Sequence, residues 1–241
     1  MEERVKTGIP GLDEILEGGL PKGTNVLISG GTGTGKTIFC SQFLYKGIED
    51  YNQNGIFVTL EERAEDLRKE MLRFGWDFKK YENENKLAII DGTSTKLRKR
   101  AVKEKYSLVG LDIDALIIEI NRVCREINAE RVVIDSIPSL GIKLENEKEL
   151  RRSVYRLSTL LLEIGVTSFM TTETLGDGFS RYGIEEFVSR GVIKLDIIEK
   201  GDKFVRTIYI RKMRETRFSM ERYPFDIEHD GIRIYTRGEV F

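Results

Sequence analysis

The sequence predicts an α/β fold with a mostly parallel central sheet flanked by helices and a C-terminal antiparallel hairpin. Three observations lead to this prediction. Between residues 24 and 171, short apolar runs alternate with stretches whose apolar residues recur every three or four positions. A glycine-rich loop ending in Lys36-Thr37 directly follows the first apolar run. After residue 190 the alternation stops, and two apolar runs flank a Gly201-Asp202 turn, which is typical of a hairpin.

Each element of the alternation can be placed from its own signals. Continuous apolar runs predict buried parallel strands at residues 24–29, 56–60, 87–90, 131–136 and 166–171. Apolar positions three and four apart predict helices at residues 37–51, 64–74, 112–127 and 147–164. Gly75 and Gly165 follow two of these helices, and glycine commonly ends a helix.

The remaining segments depart from the alternation. Residues 7–23 predict a turn, a short amphipathic helix and a Gly-Pro loop, and residues 92–110, basic and polar without a clear period, predict a surface loop or a frayed helix. Residues 191–199 and 204–212 predict the hairpin, which we place at the sheet edge, before a short strand at residues 232–235. No internal repeat or Pro/Ser-rich linker interrupts the chain, so residues 1–241 are predicted to form one domain.

Composition argues against several classes of protein. The 39 Lys and Arg residues balance 40 Asp and Glu residues. The chain therefore has no overall basic excess of the kind that indicates nucleic-acid binding. No apolar run approaches the roughly eighteen residues of a membrane span, and MEERVKTG does not read as a signal peptide. Cys40 and Cys124 occupy apolar positions of helical patterns, which predicts buried thiols in a cytoplasmic protein. A charged fraction of 33% with glutamine only at Gln42 and Gln53 points to a thermophilic source.

The loop after the first strand has the spacing G-x-x-x-x-G-K-[ST], which is typical of phosphate binding. Its glycines let successive backbone N–H groups point at phosphate oxygens, Lys36 can reach the β- and γ-phosphates, and the Thr37 hydroxyl can ligate Mg²⁺. The helix that starts there adds the positive end of its dipole. The sequence therefore predicts binding of ATP or ADP with Mg²⁺ by Gly30, Gly31, Thr32, Gly33, Thr34, Gly35, Lys36, Thr37 and Ile38.

Acidic residues end two other predicted strands. Asp135 ends the strand RVVID at the position where a second Mg²⁺ ligand is needed. Glu61 and Glu62 follow the strand at residues 56–60, at the rim where parallel sheets bind ligands, and a carboxylate there can position water against the γ-phosphate. We therefore expect Asp135 to hold metal and the two glutamates to be catalytic, with Glu62 as first choice. Two solvated acids opening the next helix are the alternative.

Two further groups are supported by position alone. Thr171-Thr172-Glu173 end the fifth predicted strand, where a polar side chain could sense the γ-phosphate. Lys212 and Arg214 close the hairpin, and residues two apart on a strand project to the same side. Such a cation pair suits the charge that develops on a γ-phosphate, including one bound by a neighbouring subunit. A charged strand edge that discourages aggregation is the commoner meaning of this pattern.

Six ordered blocks, spanning about residues 7–235, carry a family resemblance. They read TGIPGLDEILEGGLPKG, GGTGTGKT, FVTLEE followed by RFGWDF, RVVIDS, YGIEEFVSRGVI, and KMR followed by YPFDI. Together they resemble the KaiC family of RecA-superfamily ATPases, and its single-domain archaeal members most. The resemblance implies a RecA-like core with a P-loop that assembles into a ring, typically of six subunits, with ATP held between neighbours.

The resemblance also implies roles for individual residues. By position, Lys36 serves phosphate binding and catalysis, Thr37 holds Mg²⁺, and Asp135 is the Walker B acid. The paired catalytic glutamates of the family match Glu61 and Glu62. The basic pair that reaches the next subunit's nucleotide matches Lys212 and Arg214.

The chain departs from the family pattern at three points. The circadian clock protein of the family has two such domains in tandem, whereas this chain has one. Glu185-Glu186 stand where its phosphorylated domain has a Ser-Thr pair, so autophosphorylation of that kind is not expected. Glu228-His229-Asp230 differ from the stretch that contacts base and ribose, so the choice of nucleotide base is left open.

The sequence is compatible with three functions. The first is a ring-forming ATPase that acts as a slow switch or regulator, in which hydrolysis changes the conformation of the ring or its binding of an unknown protein partner. The second is a DNA-handling RecA-type recombinase paralogue or helicase. The chain shows no additional N-terminal helical domain for DNA and no obvious tethering segment, and residues 175–186 hold one basic residue, Arg181, and more acidic ones. The basic run at residues 96–105 favours DNA, although a solvated helix face is its commoner meaning. The third, a scaffold that binds but does not hydrolyse nucleotide, fits poorly with Glu61 and Glu62.

Overall fold

The computed structural model describes residues 3–93, 104–108, 113–141, 147–174 and 178–236. Within these residues the strands are β1 (Arg4–Val5), β2 (Leu20–Pro21), β3 (Asn25–Gly30), β4 (Gly55–Thr59), β5 (Leu87–Asp91), β6 (Tyr106–Ser107), β7 (Arg131–Asp135), β8 (Thr167–Glu173), β9 (Gly191–Lys200), β10 (Lys203–Met213), β11 (Tyr223–Glu228) and β12 (Gly231–Ile234). The helices are α1 (Leu12–Ile15), α2 (Lys36–Tyr51), α3 (Ala64–Leu72), α4 (Phe78–Asn83), α5 (Ile113–Ile127), α6 (Pro138–Gly141), α7 (Glu147–Glu163) and α8 (Glu185–Val188).

Ten strands form one mixed sheet in the order β12-β11-β10-β9-β3-β8-β7-β4-β5-β6, and β1 and β2 form a separate antiparallel pair. The seven strands from β9 to β6 are parallel. The continuous apolar runs predicted this for five of them, β3, β4, β5, β7 and β8, because strands covered on both faces have no solvent side for polar residues. One apolar core, which includes α2 and α3, covers one face, and a second core with α5 and α7 covers the other.

The register brings four carboxyl ends to one rim of the sheet. Gly30 at the end of β3 pairs with Glu173 of β8, and Thr59 at the end of β4 pairs with Asp135 of β7. Side chains from segments far apart in the sequence therefore meet at this rim, which is where open parallel sheets bind ligands.

The hairpin of β9 and β10 is confirmed, with its turn between Lys200 and Lys203, but its predicted place at the sheet edge is wrong. β9 pairs in parallel with β3, and β11 and β12 extend the sheet beyond β10, so that β12 forms the edge. β11 was missed because Pro224 interrupts its apolar run and a proline lacks the N–H that a central strand donates.

Several short elements were not predicted. α4 begins after Asp77, whose side chain accepts a hydrogen bond from the backbone N–H of Lys80, a helix-start signal present in the sequence. Part of the predicted loop at residues 92–110 is the strand β6, which pairs with β5; residues 94–103 and 109–112 lie outside the described residues. Nothing in a two-residue strand is periodic, so sequence patterns do not reveal it.

The structure shows the surroundings of the two cysteines and the lengths of the described helices. Cys40 and Cys124 are both free thiols and both buried, as predicted. Among the described helices none is long and apolar enough to cross a membrane.

Candidate functional site

The glycine-rich loop connects β3 to α2 and is shaped by backbone that only glycine adopts easily. Gly33 and Gly35 have φ values of 78° and 95°, in the left-handed region. A Cβ on Gly30 would lie 2.6 Å from the carbonyl oxygen of Leu195, so β9 also requires glycine there. The Thr34 hydroxyl donates to the Gly31 carbonyl at 2.8 Å and closes the loop. The loop thus wraps the N-terminus of α2, where backbone N–H groups are free to bind an anion.

The ammonium of Lys36 lies at the mouth of this loop. Its Nζ donates to the carbonyl oxygens of Gly30 at 2.9 Å and Gly31 at 3.0 Å. Within the described part of the chain it forms no salt bridge. A cation held by loop carbonyls beside free helix N–H groups is suited to bind phosphate.

Thr37 and Asp135 come together although they are far apart in the sequence. The Thr37 hydroxyl donates to Asp135 Oδ2 at 2.6 Å, and the Thr171 hydroxyl donates to Oδ1. Burial raises the pKa of Asp135, and the hydrogen bonds from Thr171 and Thr37 oppose that rise. Mg²⁺ prefers oxygen ligands from one or two such groups together with substrate phosphates. The hydroxyl and carboxylate beside the phosphate loop therefore fit Mg²⁺.

Glu61 and Glu62 are neighbours in sequence with different surroundings. Glu61 is held by two hydroxyls: Ser136 and Ser139 both donate to Oε1, Ser139 at 3.1 Å. The carboxylate of Glu62 is half-buried and has no hydrogen-bond partner among the described residues. Burial, followed by the charges of Glu70 and Asp135, raises the pKa of Glu62 to about 7. One carboxylate is oriented by its neighbours, and the other holds a proton near neutral pH.

A cleft of about 280 Å³ unites most of the predicted residues. It is lined by Thr32, Gly33, Gly35, Lys36, Thr37, Ile38, Glu61, Glu70, Asp135, Ser136 and Glu173. Glu62 does not line this cleft, so the geometry favours Glu61 over our first choice for contact with a bound nucleotide.

Three residues in or beside the cleft were missed by the sequence analysis. Glu70 lies in α3, eight residues after Glu62, which precedes that helix, and no spacing rule connects the two. Ser136 directly follows Asp135. Ser139 lies in α6, and no spacing rule connects it with Glu61, so only the fold could show the contact.

The three polar residues that end β8 take different directions. Thr171 binds Asp135, as described above, and Thr172 donates to Glu185 Oε1 at 2.9 Å. Only Glu173 lines the cleft, where Arg181 pairs with its carboxylate at 2.9 Å. Of the three candidates for contact with a γ-phosphate, Glu173 alone is placed for it.

Lys212 and Arg214 lie far from the cleft of their own chain. β10 runs antiparallel to β9, so Met213 pairs with Gly191, which pairs with Val26 near the amino end of β3. The phosphate loop follows the other end of β3, about 13 Å away at the rise of a strand. Neither side chain therefore joins the site that Lys36, Asp135 and Glu61 form.

Arg214 lies one residue beyond the end of β10. β10 ends at Met213, and Arg214 is exposed in the turn that follows. That the two side chains project to the same side stays a prediction. Lys212 Nζ donates to the carbonyl oxygens of Glu186 at 3.1 Å and Ser189 at 2.6 Å. Burial and the charge of Arg214 lower the pKa of Lys212.

Comparison with known proteins identifies the family. The model of the family described as "ATPase: KaiC" matches residues 5–239. The chain belongs to the KaiC family of ATPases. The resemblance based on six sequence blocks is thereby confirmed, and membership in the KaiC family supports ATP binding at the phosphate loop.

Relatives of known sequence and structure agree with this assignment. UPF0273 protein MJ1359 of Methanocaldococcus jannaschii is 43% identical over 237 residues, covering 97% of this chain and 96% of that protein. The circadian clock oscillator protein KaiC of Synechococcus elongatus is 40% identical over 98% of this chain, which spans 44% of its length. The crystal structure of a KaiC-like protein, PH0186, from Pyrococcus horikoshii is 53% identical, with a TM-score of 0.87 over 98% of this chain and all of that one. The RecA-like fold is thereby confirmed.

Proposed function

We propose that this KaiC-family protein is a Mg²⁺-dependent ATP hydrolase that forms a ring, with nucleotide at the subunit interfaces, and serves as a slow regulatory or signal-transduction ATPase. One observation carries the proposal: the phosphate loop, the Thr37–Asp135 pair and the oriented carboxylate of Glu61 line a single cleft. These are the groups that phosphoryl transfer to water requires, since the reaction depends on positioning and charge stabilisation.

Each group has a defined task in hydrolysis. Lys36 and the loop N–H groups bind the β- and γ-phosphates, and Thr37 and Asp135 would hold Mg²⁺, which when bound neutralises phosphate charge. Glu61 accepts a hydrogen bond from the attacking water and orients it, because two serine hydroxyls hold the carboxylate in place. Glu62, whose pKa is about 7, can hold a proton beside it near neutral pH.

The position of Lys212 and Arg214 supports an interfacial site. They cannot reach the cleft of their own chain, because they lie near the amino end of β3, where Arg214 is exposed. In a head-to-tail ring this end of one subunit faces the cleft of the next, so the cations would stabilise the transition-state charge of the neighbour's ATP. This arrangement favours a homo-oligomer, and six subunits is the number implied by the family resemblance. The two buried free thiols favour a cytoplasmic location, where thiols stay reduced.

Phosphate release from ATP tests the proposal. We expect slow release that requires Mg²⁺ and stops with EDTA. The double variant Glu61→Gln/Glu62→Gln should lose at least about 100-fold in turnover while its ATP affinity stays within a few-fold of wild type, because these residues stabilise the transition state rather than the bound substrate. The matched control is Glu65→Gln, an exposed acid on α3 that pairs with Lys69, and its turnover should equal that of wild type.

Two outcomes would contradict the proposal. A wild-type protein that binds ATP but releases no phosphate with Mg²⁺ would be a nucleotide-binding scaffold. Tight binding of single-stranded DNA that weakens steeply with salt would favour the DNA-handling alternative, because phosphate contacts release counterions.

A further inference from the structure

The orientation of Glu61 depends on Ser136 and, through Ser139, on α6, a single helical turn. Ser139 in α6 is buried and donates its hydroxyl to Glu61 Oε1 at 3.1 Å. α6 spans only Pro138–Gly141, and a helix of one turn is not stable by its own hydrogen bonds. Its position, and with it the position of the Ser139 hydroxyl, must therefore be set by contacts with other segments.

Tyr182 provides such a contact. Its hydroxyl donates to the carbonyl oxygen of Pro138 at 3.2 Å. At the other end of α6, a Cβ added to Gly141 would lie 2.2 Å from the same hydroxyl oxygen, so the phenol lies directly against the helix backbone. Tyr182 thus contacts both ends of the turn that carries Ser139.

The residue before Tyr182 contacts a second carboxylate of the cleft. Arg181 Nη1 pairs with Glu173 at 2.9 Å, and Glu173 and Glu61 line the nucleotide cleft together. A second pocket of about 400 Å³ joins these groups, lined by Leu60, Glu61, Pro138, Ser139, Glu173, Arg181 and Tyr182. Two consecutive residues after β8 therefore act on two carboxylates of the cleft: Arg181 on Glu173 directly, and Tyr182 on Glu61 through α6.

We propose that Tyr182 is a positioning residue for ATP hydrolysis, which holds α6 so that Ser139 orients Glu61 towards the attacking water. The inference rests on the proposed ATPase activity. Tyr182 does not line the nucleotide cleft, so it acts through Pro138 and Ser139 rather than on ATP. Loss of its hydroxyl removes one hydrogen bond from α6 and lets Glu61 leave its productive orientation.

The expected effect is on turnover and not on ATP binding. Tyr182→Phe should lower kcat about three- to tenfold, the amount expected for one neutral hydrogen bond, with KM and ATP affinity unchanged. Gly141→Ala, which pushes the ring away from α6, should lower kcat in the same way. Tyr155→Phe is the matched control, because Tyr155 is an exposed tyrosine on α7 that does not line the cleft, and its kcat should equal that of wild type.

A double-mutant cycle separates positioning from general loosening of the structure. Ser139→Ala alone should lower kcat, and adding it to Tyr182→Phe should cost much less than it costs in wild type, because both changes break the same chain of contacts. Additive effects of the two changes, or an unchanged kcat in Tyr182→Phe, would overturn the positioning role. Thermal midpoints of all variants show whether each is folded at the assay temperature.

The same assays separate this inference from the proposed function. If wild type releases no phosphate, the ATPase proposal fails and the positioning role fails with it. If wild type is active and the cycle is additive, only the role of Tyr182 is overturned.

Discussion

Adjacent residues of this chain have different chemistry because their neighbours come from different segments. Glu61 faces Ser136 and Ser139, which follow β7, and both hydroxyls donate to its carboxylate. Glu62 is half-buried near the charges of Glu70 and Asp135, and among the described residues no donor binds its carboxylate. Sequence position alone does not distinguish the two carboxylates, whereas hydrogen bonding and burial do.

Lys36→Ala should weaken binding of ATP and ADP by at least about 100-fold, because charge-assisted hydrogen bonds to two phosphates are lost. The fold should be retained, since Lys36 contacts only the carbonyls of its own loop among the described residues. Calorimetric titration measures the affinity, and Lys22→Ala, which changes an exposed lysine paired with Glu3, is the control. An unchanged affinity for ATP in Lys36→Ala would refute the assignment of the phosphate loop.

Glu62 should make stability depend on pH in the absence of nucleotide and Mg²⁺. Its folded-state pKa of about 7 lies above its ordinary value of 4.5, so the folded state binds the proton more tightly and unfolding releases it between these values. The free energy of unfolding therefore falls as pH rises from 4.5 to 7. Glu62→Gln should remove this loss and stabilise the protein by about 1 kcal/mol at pH 8, a value that is reduced because solvent screens a half-buried group. At pH 4.5 the same substitution should give no gain in stability.

Urea unfolding of wild type, Glu62→Gln and Glu65→Gln at both pH values measures this effect. Glu65 is exposed and paired with Lys69, so its replacement should change stability little at either pH. Equal stability changes for the two variants at pH 8 would show that the environment of Glu62 does not raise its proton affinity.

At the scale of elements, a buried arginine joins α2 to the sheet. Arg131, at the start of β7, is fully buried and donates to the carbonyl oxygens of Phe43 in α2 and Lys6 near the N-terminus, each at 2.7 Å. Its Nε donates to Gln53 at 2.9 Å, and a Cβ on Gly47 would lie 2.4 Å from that nitrogen. The helix that begins with the phosphate loop is thus tied to the strand that ends with Asp135.

Arg131→Ala should destabilise the protein by about 3 kcal/mol, because a cavity forms and two buried carbonyls lose their donors. Arg122→Ala is the matched control: that arginine is half-exposed on α5, and its pairs with Glu119 and Glu126 should be worth less than about 1 kcal/mol. Denaturant unfolding compares the two variants. Similar losses in both would show that Arg131 does not tie α2 to β7.

At the scale of the whole molecule, the cleft lies at the carboxyl ends of the parallel strands, and Lys212 and Arg214 lie at the opposite ends of these strands. If neighbours share sites, Lys212→Ala/Arg214→Ala subunits should complement Glu61→Gln/Glu62→Gln subunits, because some interfaces then combine an intact cleft with intact cations. In an equal mixture about a quarter of the interfaces are of this kind, so turnover should recover to about that fraction of wild type. Phosphate release after mixing measures the recovery.

A second mixture provides the control. Lys36→Ala and Glu61→Gln/Glu62→Gln both damage the same cleft, so mixing these subunits should restore nothing. Light scattering with an ATP analogue that is not hydrolysed verifies that mixed oligomers form. No recovery in verified mixed rings of the first kind would rule out shared sites.

Much of this protein follows from short stretches of its sequence. The phosphate loop, the buried parallel strands and the acids at their carboxyl ends were predicted because glycine conformation, apolar runs and strand direction depend on residues close together in the chain. The same local signals sufficed for the family resemblance, which the comparison confirms.

The tertiary structure alone decided how these pieces meet. A strand pattern indicates that a segment pairs with another strand but not which strand that is. For this reason the hairpin was predicted at the edge of the sheet, whereas β12 forms that edge. Arginine is usually exposed to solvent, but Arg131 is buried because backbone carbonyls from two distant segments accept its hydrogen bonds. The contact of Ser139 with Glu61 and the distance of Lys212 from the cleft likewise depend on long-range packing, which no local spacing encodes.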